Sequence, residues 1–343
     1  MGINNQIIRQ LSDIQLSVLD LATILTGKKP ADTYKNSVDL AQHVERWGFK
    51  RYWLAEHHSM ESIASSATAV LIGHIAGHTS SIRVGAGGIM LPNHAPLVIA
   101  EQFGTLESMY PGRIDLGLGR APGSDQLTAR ALRRNLQEGP NDFPESVMEL
   151  KRYFSAENST AKVRAIPGEG LDIPIWLLGS STFSAQLAAI LGLPFAFASH
   201  FAPTYLQAAL NIYRETFQPS ETLKEPYVLA CVNVVTADTD NEANYLATSF
   251  YQLAMGIIHG STKPLQPPVH NMDEIWSEYE KAAILQMMKY SFIGGPSTVK
   301  EKLQRFLDET QVNEIMITSH IFDHTARVHS YKIVADIWKE AVV

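Results

Sequence analysis

The chain has 343 residues, of which 18% are charged and 45% hydrophobic, a globular composition that excludes a disordered or fibrous protein. Lys and Arg number 28 against 35 Asp and Glu, a formal charge of −7 with no basic run longer than two residues, so nucleic acid is not an expected partner. The single cysteine, Cys231, excludes an intramolecular disulfide and a cysteine metal site.

Residues 1–14 lack the basic start and apolar core of a signal peptide, and no apolar run approaches the roughly 18 residues that span a bilayer. The expectation is a cytoplasmic protein with no membrane partner. Residues 16–22 read as a first strand, and 31–47 as a helix carrying Val38, Leu40, Ala41 and Val44 on one face, stopped by Gly48. A strand follows at 50–55, a helix of small and apolar residues at 65–78, and a strand at 82–90 interrupted by Gly85, Gly87 and Gly88. A helix at 97–109 ends before Pro111-Gly112, and 113–118 is a strand with a glycine-rich end. After a long middle loop come a helix at 143–153 and a strand at 173–178. A helix at 182–191, closed by Gly192, leads to a strand at 195–198 and a helix at 203–217. The strand at 227–235 holds Cys231, read as a packed thiol. A helix at 238–255 is expected to be capped by Asp238. An insertion loop near 256–271, stiffened by Pro264, Pro267 and Pro268, is expected to shape or cover a pocket. Helices at 272–290 and 297–307, a strand at 314–318 and a helix at 323–338 complete the chain.

Eight strands alternating with helices, with no shift of composition, favour a single (β/α)8 barrel domain over residues 1–343. The nearest glycine fingerprint, Gly117-Leu118-Gly119-Arg120, lies in the fourth unit, which suits a dinucleotide fold poorly.

In such a barrel the chemistry sits at the carboxyl ends of the strands. Those ends supply Asp20, Glu56-His57-His58, Gly87-Gly88 with Asn93-His94, Gly119-Arg120, Gly179-Ser180-Ser181, Ser199-His200, and Asn233 or Thr236. No metal is expected. His57 and His58 fall on opposite sides of an extended strand, and no pair at i, i+2 is read there. An anion is better supported. Gly179 to Ser184 joins a strand to a helix start, where free N–H groups aided by serine and threonine hydroxyls form an anion site. Arg120 adds a charge able to pair with an anion. The residues alone also allow Ser180 to Thr182 to be a plain helix cap. Gly85 to Gly88 fit either a flat ligand against the backbone or a bulge that re-aims the strand. A flat ring with a phosphate tail describes a flavin mononucleotide. A lyase or hydrolase for a phosphorylated substrate stays open on the residues alone.

Four stretches in order, Trp53–His58, Val84–Pro92, Pro111–Arg120 and Leu178–Ser181 with Gly192-Leu193-Pro194, resemble the bacterial luciferase-like flavin-dependent monooxygenases. The subgroup with Ala121-Pro122-Gly123 after the arginine is the most similar. The resemblance spans residues 15–338. It implies reduced FMN, supplied by a separate flavin reductase and reacting with O₂ and a small organic substrate. His57 would act in catalysis as acid and base, with Glu56 orienting it. Gly87 and Gly88 would lie under the flavin ring, joined by a cis bond. Arg120, Gly179, Ser180, Ser181 and Ser184 would hold the phosphate. His58, Asn93, His94 and Phe201 are candidates for the substrate pocket, with Trp53 and Met90 as apolar walls. A homodimer is implied as well. The family's second phosphate arginine is missing from Phe143-Pro144-Glu145-Ser146, which leaves Arg133 or Arg134 to replace it. Relatives also include deazaflavin-dependent dehydrogenases and non-catalytic flavin-binding proteins.

Overall fold

The computed structural model describes residues 9–121, 126–132, 142–261 and 263–340. The described residues form nine parallel strands: β1 (Gln15–Asp20), β2 (Arg51–Leu54), β3 (Arg83–Met90), β4 (Ile114–Gly119), β5 (Ile175–Gly179), β6 (Phe195–Phe197), β7 (Val228–Thr236), β8 (Ser291–Gly294) and β9 (Glu314–Thr318). Around them lie α1 (Pro30–Trp47), α2 (Thr68–Gly77), α3 (Pro96–Met109), α4 (Gln126–Leu132), α5 (Phe143–Phe154), α6 (Thr182–Ile190), α7 (Leu206–Thr216), α8 (Asp240–Ile258), α9 (Glu278–Met287), α10 (Pro296–Thr310) and α11 (His324–Glu340). β1 to β7 follow one another, β9 lies between β7 and β1, and β6 pairs with β7 to close an eight-stranded barrel. The (β/α)8 expectation holds. β8 is an addition alongside the later half of β7, where Asn233 is in register with Ser291.

The alternation of side chains along a strand sorts the core into two layers. Leu19, Trp53, Ala55, Trp176, Ala196, Leu229, Cys231 and Met316 form one buried cluster inside the barrel. Their chain neighbours Val18, Tyr52, Leu54, Leu177, Phe197, Val232 and Ile317 belong to a larger cluster beneath the helices. Burial raises the Cys231 thiol well above its ordinary range, in keeping with an inert packed residue. On the side of β3 and β4 the interior is lined by glycines. A Cβ on Gly87 would meet Leu19 at 2.9 Å and Trp53 at 3.1 Å, and one on Gly117 would meet the Ala86 carbonyl at 2.2 Å. The Trp53 ring takes the volume that side chains on β3 would fill. Trp53 is fully buried and its Nε1 donates to Asp115 at 3.1 Å, so it is core rather than a pocket wall.

The amino-terminal end of the barrel is closed by ions. Arg51 donates through Nη1 to Asp115 at 2.7 Å and through Nε to Glu314 at 3.0 Å, and Arg83 pairs with Asp115 at 2.7 Å. Tyr227 donates to Glu314 at 2.9 Å, and Ser17 donates to the same carboxylate. The Arg51 guanidinium lies 4.6 Å from the centre of the Trp176 ring. Two cations and two anions balance, and each carboxylate has several donors, the condition under which buried charge is tolerated.

Two expectations at the helices change. Thr239, not Asp238, caps α8, its hydroxyl accepting from the Glu242 N–H at 3.2 Å. The helix expected at 272–290 breaks into a short turn and α9, where Ser277 caps α9 in a reciprocal pair with Glu280. α8 also extends to Ile258, so the insertion loop starts later than residue 256. That loop is tied to the segment after β1. Leu265 N donates to the Ile24 carbonyl at 2.8 Å, Thr26 N donates to the Leu265 carbonyl at 2.9 Å, and the Gln266 amide donates to Thr26 at 2.6 Å. Among the described residues, no helix is long and apolar enough to cross a membrane.

Replacing Asp115 by Asn leaves Arg51 with Glu314 as its remaining anion and takes from Arg83 the carboxylate it pairs with. Removing one partner of a buried pair costs about 3–5 kcal/mol. The urea midpoint should fall accordingly at unchanged slope; a loss under about 1 kcal/mol would show that the floor does not depend on these charges.

Candidate functional site

The carboxyl ends of the strands bring most of the sequence-selected residues to one face of the barrel. β2 stops at Leu54, and the chain leaves the sheet through Ala55 to His58. Glu56 is buried to 1% exposure. Its Oε1 accepts from His58 Nε2 at 2.8 Å and from His94 Nε2 at 2.9 Å, and its Oε2 accepts from the Met90 N–H at 3.1 Å. The Asn93 amide approaches Oε1 at 3.5 Å. Burial alone pushes the Glu56 carboxyl up, but the hydrogen bonds from His94, His58 and Met90 outweigh it and hold the group below its ordinary value. An ionised carboxylate only accepts, so both Nε2 atoms carry the proton.

Glu56 accepts from both His58 and His94, and so fastens the end of β2 to the segment after β3. His58, expected only as a pocket residue, is one arm of that fork. Glu56 and His58 are themselves an i, i+2 pair, contrary to the reading that none exists. With His94 their ligand atoms lie within 4.8 Å of one another. The spacing Glu-x-His was the signal that could have found it.

On β3 the Gly87–Gly88 peptide is cis, as the resemblance implied, and the register with β4 shifts between Ala86 and Ile89. A Cβ on Gly88 would lie 2.8 Å from the Gly117 carbonyl. The backbone here is bare because no side chain fits.

Arg120 follows β4, and its guanidinium sits 4.1 Å from the centre of the Phe183 ring in the first turn of α6. Among the described residues no carboxylate pairs with it. Ser181 is the residue before α6, and its side chain makes no capping hydrogen bond, so the plain-cap reading of Ser180 to Thr182 is not what the structure contains. The first N–H groups of this nine-residue helix, the hydroxyls of Ser180 and Ser181, and Arg120 lie together, a donor set suited to a phosphate. Ser184 is buried against Gly179, where a Cβ would approach the Ser184 Cβ to 2.7 Å; it packs the turn. Arg133 and Arg134 lie outside the described residues.

The far side of the mouth carries residues that the sequence reading named only as strand ends or did not select. Asn233, 2% exposed, uses its NH₂ to donate to the His200 carbonyl at 2.6 Å and to Ser291 Oγ at 3.0 Å. His320 follows β9, is 6% exposed, and stacks on Phe250 at 4.8 Å. Burial, then the neighbouring His320 and His57, drive the His200 pKa down to about 3. Burial and Arg327 take His320 to about 4. Both imidazoles are therefore neutral at ordinary pH. His320 was legible as the second residue beyond the last strand. Phe201, 53% exposed, packs edge-on against His200 at the rim.

Residues 14–314 match the family model described as luciferase-like monooxygenase. The chain is 58% identical to Bacillus subtilis (strain 168) YvbT over 96% of this chain and 98% of the relative. It is 51% identical to a luciferase-like monooxygenase of Escherichia coli (strain K12), over 95% and 98%, and 31% identical to the N-acetyl-S-alkylcysteine monooxygenase of B. subtilis (strain 168), over 94% and 98%. Among solved structures, apo-MsnO8 superimposes with a TM-score of 0.85 at 32% identity, covering 95% of this chain and 98% of that one. The fold is shared with the oxygenating constituent of 3,6-diketocamphane monooxygenase from Pseudomonas putida in complex with FMN, at a TM-score of 0.71 and 17% identity over 96% and 99%. It is shared too with an F420-dependent secondary alcohol dehydrogenase, at 0.70 and 14% over 95% and 99%.

His200 and His320 set a pH dependence. Each has a folded pKa below its ordinary value of 6.5, so the unfolded chain takes up the proton first as pH falls. Their contribution is complete above about pH 6.5 and is lost toward about 4 for His320 and about 3 for His200, at roughly 1.4 kcal/mol per pH unit for each. His320→Phe should flatten the slope of stability between about pH 6 and about pH 5 by one such increment. An unchanged slope in urea titrations would remove His320 from this role.

Proposed function

This chain belongs to the luciferase-like monooxygenase family, and from that premise we propose that it is an FMN-dependent monooxygenase acting with O₂ on a small organic substrate. The observation that carries the cofactor is the donor set of Arg120 and the uncapped first turn of α6, beside the bare backbone of Gly87 and Gly88. A planar ring with a phosphate tail fits both. In this reading Arg120, Ser180 and Ser181 bind the phosphate, Gly179 and Ser184 shape its turn, and Gly87 and Gly88 support the ring. Reduced flavin, when bound, supplies the electrons that activate O₂. His57, at the tip of β2, moves the proton that the reaction needs, a task an imidazole near neutrality performs well. Glu56 keeps His58 and His94 in place and so fixes the segment that carries His57.

The reductant comes from a separate flavin reductase, a reading supported by the lack of a dinucleotide fingerprint after the first strand. Exposed Val70, Val98 and Met109 on α2 and α3 support a homodimer. A cytoplasmic setting suits reduced flavin. The name of the N-acetyl-S-alkylcysteine monooxygenase makes thioethers the first substrates to screen.

The test mixes the protein and reduced FMN, prepared anaerobically, with O₂ and follows flavin absorbance. Return of oxidised flavin should be delayed relative to free FMN, and His57→Ala should shorten the delay. Reoxidation at the free rate would overturn the monooxygenase reading, and tight binding of a deazaflavin in place of FMN would redirect it to a dehydrogenase. Arg120→Ala should weaken FMN binding at least about tenfold, the loss of roughly one charge-assisted contact; an unchanged Kd in fluorescence titration would move the phosphate elsewhere.

A further inference from the structure

Three buried polar atoms on one arc of the barrel mouth have no partner. They are Asn233 Oδ1, His200 Nδ1 and His320 Nδ1. Buried polar groups are almost always satisfied, and an orphaned one in a mouth points to a ligand. The three are contiguous. Asn233 holds the His200 backbone directly, and it is in register with Thr318, two residues before His320. Around the closed barrel β7 is the fourth neighbour of β3 in either direction. This arc therefore faces the Gly87–Gly88 backbone. On the reading given above, on which this inference rests, the cofactor occupies the side of β3 to β5 and the organic substrate has the side of β6, β7 and β9.

The atoms restrict what that substrate presents. The Asn233 NH₂ must face the His200 carbonyl, which only accepts, so Oδ1 is the end left over, and it calls for a donor. A neutral imidazole nitrogen donates or accepts according to its tautomer. No charge in the wall answers a charged ligand. Arg327 and Asp20 form a neutral pair at 2.9 Å, Asp20 also accepting from Ser37 and Tyr52, each at 2.5 Å, while the Arg327 Nε–H is left without a partner. Glu56 is held by two histidines. A carboxylate would find no cation here without its counter-ion and an ammonium no anion without its own, at the cost of burying an uncompensated charge. We propose that Asn233, His200 and His320 form the substrate-recognition wall and that the group they receive is an uncharged amide, its N–H donated to Asn233 Oδ1 and its carbonyl accepting from an imidazole.

The test compares N-benzylacetamide with benzyl acetate, which lacks the N–H, and with benzylammonium, by calorimetric titration of the whole protein with and without oxidised FMN. The amide should bind at least about tenfold more tightly than either, the difference made by one buried hydrogen bond or one unpaired charge. Asn233→Leu should bring amide and ester within about threefold, leaving the ester nearly unchanged. His320→Phe, which keeps the ring on Phe250 and removes both nitrogens, is the second variant should loss of Asn233 disturb the fold, as checked by circular dichroism. Equal binding of amide and ester, no binding of the amide, or a preference that survives both substitutions would overturn the proposal. Binding is read without turnover and in both flavin states, so a failure of the FMN reading is seen separately.

Discussion

The barrel depends on how it disposes of charge at its amino-terminal floor. Arg51, Arg83, Asp115 and Glu314 come from the first two residues of four strands, and each ion finds its counter-ion one or two strands round the barrel. Uncompensated, any one of them would oppose closure. Paired, they link β2, β3, β4 and β9 at the end where the chain performs no chemistry. Trp53 and Trp176 sit directly on that floor, edge to face at 5.2 Å. A Cβ on Gly87 would meet Trp53 and Leu19, whereas on Gly88 and Gly117 it would meet Leu178 and the backbone carbonyl of the neighbouring strand. The bare backbone at the mouth is thus a consequence of close strand approach as well as of the packing below it.

Charge is handled in the opposite manner at the carboxyl end. Glu56, a buried carboxylate at the mouth, accepts from two histidines and a backbone N–H. The remaining imidazoles, His200 and His320, are driven neutral by burial. Arg120 stands apart, its charge placed over an aromatic face and beside a helix start. The mouth therefore separates an anion-holding side from an uncharged one, which suits a cofactor with a phosphate tail and a substrate without a charge.

Much of this was legible in the sequence, and the reasons for the exceptions are local. The eight barrel strands stand out as short apolar runs bounded by glycine, proline or charged residues, because each is buried on both faces. β8 was missed because Ser291–Gly294 has four residues and pairs only with the upper part of β7. The helix drawn across 272–290 ignored Ser277, a capping residue with its Glu partner three positions on. The bond between Glu56 and His94, 38 positions away, was not read from the sequence. That pairing follows from the closure of the barrel and not from any local pattern. Gly87, Gly88 and Arg120 were readable because each residue type admits few explanations at a strand end.

The bridge between Leu25 and Leu265, with Gln266 holding Thr26, joins two loops 240 residues apart in the chain. Its consequence concerns inheritance. The backbone of the segment after α8 is completed by residues 24–26. A graft of this segment from one relative onto another would arrive without its complementary half. The two loops form one unit of variation, and successful exchange of specificity between relatives should require that they be moved together.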